Sequence, residues 1–128
     1  MAKNPVISPA RGQHVRRNML ALQIRTKVWL ERDGTFVIGD GGLELLNHIQ
    51  RLRSLTKAAQ AVGWSYRHAW GYVRNAERRL GLPLATTSPG KGTSRGTALT
   101  AAGRQVLTRL RRAREAARVN AARQWRRP

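Results

Sequence analysis

The amino-acid sequence predicts a mainly α-helical domain with a small β-hairpin, a second pair of short strands and a long C-terminal helix. Apolar residues recur at helical spacing in several segments between residues 43 and 125. Asp33-Gly34 joins two runs of β-forming residues, which is a strong hairpin signal. Residues 88–96 form a loop rich in Gly and Ser between two further short runs. The 128 residues have room for one domain of this class.

The composition is strongly basic, with 25 Lys and Arg residues against 6 Asp and Glu residues and a formal net charge of +19. A chain of this charge attracts polyanions, and double-stranded DNA is the densest common one. The chain has no cysteine, which excludes disulfide bonds and thiolate metal sites. No apolar run approaches the roughly 20 residues that a membrane span requires, and no apolar signal segment opens the chain. We therefore expect a cytoplasmic, nucleoid-associated protein without membrane contact.

The N-terminal part of the chain divides into two segments. Residues 1–19 carry prolines and cationic side chains without any period, and we interpret them as a mostly disordered basic arm. Such an arm either reaches along DNA or has no role of its own. In residues 20–39, Leu20, Leu22 and Ile24 alternate with other residues ahead of the Asp-Gly turn. This pattern predicts a strand or hairpin, although the first run could begin as a short helix.

The segment 43–52 predicts a helix, because Leu45, Leu46, Ile49 and Leu52 share one face. Asp40 is the expected N-cap of this helix. The following helix, up to Gly63, carries a pair of small residues, Ala58 and Ala59. Small side chains of this kind allow two helices to cross closely.

Residues 55–80 predict two helices joined by a tight turn. Gly63 provides the left-handed backbone that the turn requires. Ser54 or Thr56 can cap the first helix, and Ser65 can cap the second. The second helix, 66–80, has a core face at regular spacing, formed by Ala69, Trp70, Val73, Ala76 and Leu80.

The helix at 66–80 also carries a polar face. It offers forked cations, an amide, hydroxyl groups and a glycine, which are groups that meet base edges and phosphates in a major groove. Gly71 costs about 1 kcal/mol relative to alanine inside a helix, so it serves either close approach to a partner or tight packing. The alternative interpretation of this face is a simple solvated basic surface. The candidate DNA-binding residues here are Ser65, Tyr66, Arg67, His68, Gly71, Tyr72, Arg74 and Asn75.

Residues 84–99 predict a wing, which is a strand, a flexible loop and a returning strand. The loop at 88–96 contains Lys91 and Arg95, which we assign to DNA phosphates. The loop does not match the Gly-x-x-x-x-Gly-Lys-Ser/Thr order of nucleotide-binding proteins, so no nucleotide cofactor is expected. Two helices at a tight turn, followed by this wing, predict a winged helix-turn-helix domain over 20–110.

The last predicted helix, 101–125, begins after Thr100, a suitable N-cap. Val106, Leu107 and Leu110 form an apolar strip that should pack on the domain. The Arg-rich tail at 111–128 is too polar to be buried alone. We expect it either to pair with a second copy in a homodimer or to project into solvent.

No arrangement of side chains predicts catalysis or metal binding. The carboxylates are scattered, and no two are placed as an acid–base pair. His14, His48 and His68 lie in three different contexts, without metal-ligand spacing. We therefore expect a protein that is not an enzyme, with no catalytic residue, no metal and no cofactor.

The sequence resembles the N-terminal DNA-binding domain of the molybdate-responsive ModE family of bacterial regulators. Residues 65–70 read Ser-Tyr-Arg-His-Ala-Trp, and 45–49 and 90–92 match the Leu-Leu-x-x-Ile and Gly-Lys-Gly elements. The Ala-Ala pair, the glycine turn and the Leu-Thr-x-x-Gly motif at 99–103 are also shared with the LysR-type winged helix.

This resemblance implies a winged helix-turn-helix, a dimer formed through flanking segments and binding to an operator. It places Ser65, Tyr66 and Arg67 at the DNA and Trp70 in the core. The loop at 88–96 is poorer in glycine than the family's wing. Full-length members also have a separate oxyanion-binding domain, for which the 128 residues leave no room, so we expect no molybdate sensing and no small-molecule effector.

The sequence thus predicts a dimeric, sequence-specific transcription regulator that binds double-stranded DNA. Its recognition helix, 66–80, would lie in the major groove and its wing, 88–96, on the backbone or in the minor groove. An architectural nucleoid protein without sequence specificity is the alternative. An RNA- or ribosome-associated protein is a third hypothesis, although the usual RNA-binding motifs are missing from the sequence.

Overall fold

The computed structural model describes residues 11–89 and 95–128, and this part of the chain contains five helices and two antiparallel hairpins. The prediction of a mainly α-helical winged helix-turn-helix fold with a long C-terminal helix is confirmed. The elements in chain order are α1 (Arg11–Leu20), β1 (Leu30–Arg32), β2 (Thr35–Ile38), α2 (Asp40–Leu52), α3 (Leu55–Val62), α4 (Tyr66–Leu80), β3 (Ala85–Pro89), β4 (Arg95–Leu99) and α5 (Ala101–Arg126).

The N-terminal segment differs from the expectation. Residues 11–20 form the helix α1, so the prediction of a disordered arm is wrong there, while residues 1–10 lie outside the described residues. Residues 21–29 contain no strand, and the first strand begins only at Leu30. The alternation at Leu20 and Leu22 does not produce a strand, because no neighbouring strand in the described chain pairs with it.

The first hairpin forms where the Asp-Gly pair predicts it. Asp33 and Gly34 both have positive φ angles, 51° and 78°, as a two-residue turn of this type requires. The strands pair with Arg32 opposite Thr35. Val37 and Ile38, at the end of β2, are buried in the core.

Helix α2 lies at the centre of the core, where Leu43, Leu45, Leu46 and Ile49 are all buried. Its N-cap is Gly39, which provides no side-chain hydrogen bond, and Asp40 is already the first helical residue. The prediction of Asp40 as N-cap is therefore wrong by one position.

The helix-turn-helix forms as its capping residues predict. Ser54 Oγ accepts from the Lys57 amide at 3.1 Å, and Ser65 Oγ accepts from the His68 amide at 3.0 Å. Gly63 takes a φ of 76° between the two helices. Ala58 and Ala59 are completely or almost completely buried, so the prediction of a close crossing at small residues is confirmed.

The second hairpin is fastened to the helices at its base. The Thr97 amide donates to the Arg53 carbonyl at 3.1 Å, and Thr97 Oγ1 accepts from the Leu55 amide at 3.3 Å. Thr100 Oγ caps α5 by accepting from the Gly103 amide at 3.0 Å, as predicted. Leu107 and Leu110 on α5 are buried against the domain, so the wing and the start of α5 have fixed positions relative to α3.

Candidate nucleic-acid interface

An exposed strip of residues follows the side of α4 that faces away from the core. Arg67, Gly71, Asn75 and Arg78 succeed one another at steps of four or three residues and are all exposed. They lie opposite the apolar positions of the helix, and steps of this size keep side chains on one face. We call these four residues the outward strip of α4. The opposite face is buried and consists of Ala69, Val73 and Ala76.

Gly71 has open space around it. A Cβ atom added there would meet no heavy atom within 4 Å, outside the helix's own neighbouring backbone. The contrast is Gly42 on α2, where an added Cβ would overlap the ring of Tyr72. Nothing in the described structure gives Gly71 a packing reason, although it interrupts a helix in which alanine is more stable. Of the two explanations that the sequence leaves open, close approach by an outside partner is the one that this geometry favours.

The first turn of α4 places three of the predicted site residues together. Tyr66 is 52% exposed, and Ser65 and His68 are also on the surface. The His68 ring meets the Trp64 ring edge-on, with 4.4 Å between ring centroids. The first backbone N–H groups of a helix lack helical acceptors and favour anions, so this end of α4 suits a phosphate.

Tyr72 faces inward rather than outward. Its hydroxyl accepts from the Gly39 amide at 3.0 Å, and its ring lies 5.1 Å from the Trp64 ring between centroids. Burial raises the pKa of the Tyr72 phenol, and the hydrogen bond from the Gly39 amide partly offsets this effect. The prediction that Tyr72 belongs to the outward face is wrong, because the start of α2 covers that side of α4. Tyr72 holds the two helices together.

Cationic side chains in the strip and beside it are held in place by their neighbours. The Arg74 guanidinium lies 4.2 Å from the centroid of the Trp70 ring and donates to Glu77 Oε1 at 3.0 Å. Arg78 donates to Asn75 Oδ1. Side chains ordered in this way lose less entropy when they bind a phosphate or a base.

Glu77 has a structural role that the sequence interpretation only partly foresaw. Its Oε1 accepts from Arg74 Nη1 at 3.0 Å, three residues earlier on the same helix. The carboxylate is only 9% exposed, and its Oε2 also accepts from the amides of Leu84 and Ala85 at 2.8 and 3.3 Å. It thereby fixes the first strand of the wing to α4. The sequence contains one indication of this role. Glu77 follows Val73 by four residues and so lies at core spacing, where a buried charge requires partners.

Two arginines that the sequence interpretation did not single out join the first hairpin to α4. Arg32 Nη1 donates to the Leu80 carbonyl at 2.6 Å, at the end of the helix where free carbonyls favour a cation. Arg79 Nη1 donates to the Phe36 carbonyl at 2.7 Å. These contacts set the angle at which α4 leaves the domain.

The predicted wing residues are only partly described. Lys91 lies outside the described residues, and Arg95 is the first residue of β4. A groove of about 490 Å³ separates the base of the wing from the α2–α3 turn, and the cations Arg53 and Lys57 line it. Both are exposed, and the sequence interpretation did not include them.

The six carboxylates of the chain all have partners, and none lies on the outward strip of α4. Trp29 Nε1 donates to Glu31, Asp33 lies 4.0 Å from Arg32, and the others pair with arginines. The positive charge of the outward strip is therefore not neutralised from within. In the part of the chain that the structure describes, no group of three His, Asp or Glu residues could hold a metal. No helix within residues 11–89 and 95–128 is long and apolar enough to cross a membrane.

Two helices crossing at a glycine turn, an exposed second helix and an attached hairpin define a winged helix-turn-helix domain. The fold is similar to that of the DNA-binding domain of CbnR in the crystal structure of its DNA complex, with a TM-score of 0.51 and 24% identity. The match covers 65% of this chain and 90% of that domain. Residues 41–104 match the family of bacterial regulatory helix-turn-helix proteins of the LysR type, and the chain belongs to this family.

The chain is ModE-like, because it is similar to curated molybdenum-related members with this type of domain. It is 38% identical over 80 residues to the molybdenum-pterin-binding protein MopB of Rhodobacter capsulatus. This alignment covers 62% of this chain and 29% of MopB. It is 29% identical over 93 residues to the molybdenum transport protein ModE of Azotobacter vinelandii. This alignment covers 73% of this chain and 34% of ModE. The chain thus spans about a third of these relatives. The family and the fold are those of DNA-binding regulators rather than enzymes.

Proposed function

We propose that the protein is a sequence-specific regulator of transcription that binds double-stranded DNA and acts in the bacterial cytoplasm. Helix α4 would enter the major groove, and the wing at 88–96 would lie on the backbone or in the minor groove. The observation that carries this proposal is the outward strip of α4, which is exposed and basic, has no carboxylate of its own and contains a glycine without a packing reason.

The candidate residues take different roles in this proposal. Arg67 and Asn75 would meet base edges, since their fork and amide provide paired hydrogen bonds. Gly71 would let the helix backbone approach the groove closely. Phosphates would be held by a larger set, which is Ser65, Tyr66, His68, Arg74, Lys91 and Arg95. Tyr72 would act only by holding α4 against α2, as its hydrogen bond to the Gly39 amide supports.

Selection of genomic fragments at physiological salt, followed by binding measurements on the selected motif, tests the proposal. We expect a recurring motif, and Arg67→Ala should weaken binding to it by about 1–3 kcal/mol while changing binding to unrelated DNA much less. The exposed Arg17 on α1 provides the control, because Arg17→Ala removes the same charge from another helix and should change binding to the motif and to unrelated DNA by equal factors. Equal losses on all sequences would contradict base reading by Arg67.

The net charge of +19 also supports a second candidate function, an architectural protein that coats DNA without sequence preference. The same selection separates the two, since coating gives no recurring motif. Competition with duplex RNA tests the remaining hypothesis of an RNA-associated protein.

The proposed regulator is a homodimer. A groove of about 870 Å³ lies between α1, the segment after it and the C-terminal half of α5. Leu20 is 79% exposed there, and Leu22 and Trp125 are 53% and 41% exposed. Exposed apolar side chains gathered in one place are typical of an interface, and a second copy would present the same surface in return.

A further inference from the structure

The eight arginines of α5 divide into two groups. Four of them have partners within the described chain, and three of these, Arg104, Arg111 and Arg114, bind residues outside α5 and help to hold the helix in place. The four donate to a carbonyl, an amide oxygen or a carboxylate. These pairs are Arg104 with the Leu99 carbonyl, Arg111 with Asn47, Arg114 with Glu44 and Arg118 with Glu115.

The other four are Arg109, Arg112, Arg123 and Arg126, which we call the outer arginine strip. All four are exposed, and Arg126 lies at the end of the strip where it also lines the groove beside α1. None has a hydrogen-bond or ion-pair partner within the described chain. At 3.6 residues per turn and 1.5 Å per residue they occupy a sector of about 100° and a length of about 25 Å. This sector lies opposite the buried residues of α5, which are Gly103, Leu107 and Leu110.

The outer arginine strip points away from the outward strip of α4. Helix α2 lies between the two, because its Glu44 and Asn47 pair with α5 while its Gly42 packs against Tyr72 of α4. Residues 44 and 47 lie on the side of an α-helix roughly opposite to residue 42. A straight duplex that lies along the outward strip of α4 is therefore on the other side of the domain from the outer arginine strip of the same molecule.

We infer that the outer arginine strip binds the sugar-phosphate backbone of a second DNA duplex, so that one molecule joins two DNA segments. This inference rests on the proposed function for the first duplex. Arginine forks match phosphate oxygens, and a row of them without carboxylates binds duplex DNA without reading its sequence.

Other polyanions fit the strip less well. The aromatic residue of α5, Trp125, lies on the side of the helix away from the strip at 3.6 residues per turn, so single-stranded bases bound by the strip have no ring on which to stack. A membrane-surface helix requires an exposed apolar face opposite its cations, whereas on that side of α5 Leu107 and Leu110 are buried in the domain and Trp125 faces the groove beside α1. A straight array of cations on a rigid helix favours the regular backbone of a duplex.

Co-capture of two duplexes tests the inference. One duplex is immobilised on beads, a fluorescent duplex of different sequence is free, and full-length protein is added. Binding to a single duplex is measured separately by fluorescence anisotropy. Changing all four arginines of the strip to glutamine should lower co-capture at least fivefold, while affinity for the selected motif on a single duplex changes by less than about threefold. The same four positions changed to lysine should retain co-capture, because the charges remain.

Several results of this experiment would overturn the inference. Unchanged co-capture in the glutamine variant would overturn the inference and assign bridging to the two reading helices of a dimer. A parallel loss of single-duplex binding would also overturn it, since the strip would then contact the first duplex. Loss in the lysine variant would show that charge is not the cause. Failure of the wild-type protein to bind any duplex refutes the proposed function, whereas single-duplex binding without co-capture refutes only the second site.

Discussion

Glycines in this domain serve opposite purposes at different positions. At Gly42 and Gly103 an added Cβ would overlap Tyr72 or the Leu84 carbonyl, so the fold itself requires glycine. At Gly71 the same atom would meet open space, and the φ angle there is not positive. A glycine that the fold does not require is explained by something outside the fold, which under the proposed function is the floor of a DNA groove.

Gly71→Ala separates stability from binding. We expect the free energy of unfolding to rise by up to about 1 kcal/mol, because alanine is the better helix former and nothing obstructs its methyl group. Affinity for the selected DNA motif should fall about tenfold, since the methyl group would separate the helix from the groove. Urea denaturation and fluorescence anisotropy measure the two quantities. Stabilisation without any loss of affinity would show that this position does not approach DNA.

At the scale of elements, the recognition helix is oriented by contacts at both of its ends. Tyr72 and Trp64 join its first half to the start of α2, and Arg32 and Glu77 join its second half to the two hairpins. The positions of α4 and β3 are therefore linked through one buried carboxylate. A change at Glu77 should disturb the wing and the helix together.

Glu77→Gln tests this link. The amide keeps the size of the side chain but loses the charge that binds Arg74 and provides one acceptor oxygen instead of two. We expect a loss of about 1–3 kcal/mol in the free energy of unfolding, because buried donors lose a charged acceptor. Urea denaturation measures it. The matched control is Glu115→Gln, which removes a fully exposed ion pair on α5 and should leave the urea midpoint unchanged. Equal effects at the two positions would contradict a special role for Glu77.

Over the whole molecule, cationic side chains lie on several faces, and exposed apolar residues gather on one. The outward strip of α4 and the outer arginine strip of α5 are polar and basic. The groove beside α1 combines exposed apolar residues with arginines and two carboxylates. This distribution suits a molecule with DNA on its basic faces and a second copy on the mixed one, where both apolar and paired charged contacts can form.

The double substitution Leu22→Ser and Trp125→Ser should convert a dimer into a monomer, as measured by sedimentation equilibrium, because it removes exposed apolar surface from the proposed interface. Both side chains are already partly in water, so the fold should tolerate the changes. Leu82→Ser is the control, since Leu82 is 51% exposed and lies between α4 and β3. A wild-type protein that is monomeric at micromolar concentration would exclude this interface.

Features that depend on near neighbours in the chain follow from the sequence alone. The caps at Ser54, Ser65 and Thr100, the turn at Gly63 and the Asp-Gly hairpin were all predictable, because each is a local hydrogen bond or a local backbone angle. The basic charge, the core face of α4 and the winged helix-turn-helix class follow from composition and periodicity, which are also properties of the chain alone.

Features that depend on distant residues become visible in the folded domain. Tyr72 turns inward because Gly39 and Gly42, about thirty residues earlier, lie beside it. Glu77 is a structural ligand because the backbone of β3 returns to it. The arginines of α5 look alike in the sequence, and the packing against α2 shows that Arg111 and Arg114 are engaged by Asn47 and Glu44. Periodicity gives the face of a helix, but the neighbour that covers that face is fixed by the packing of the whole domain.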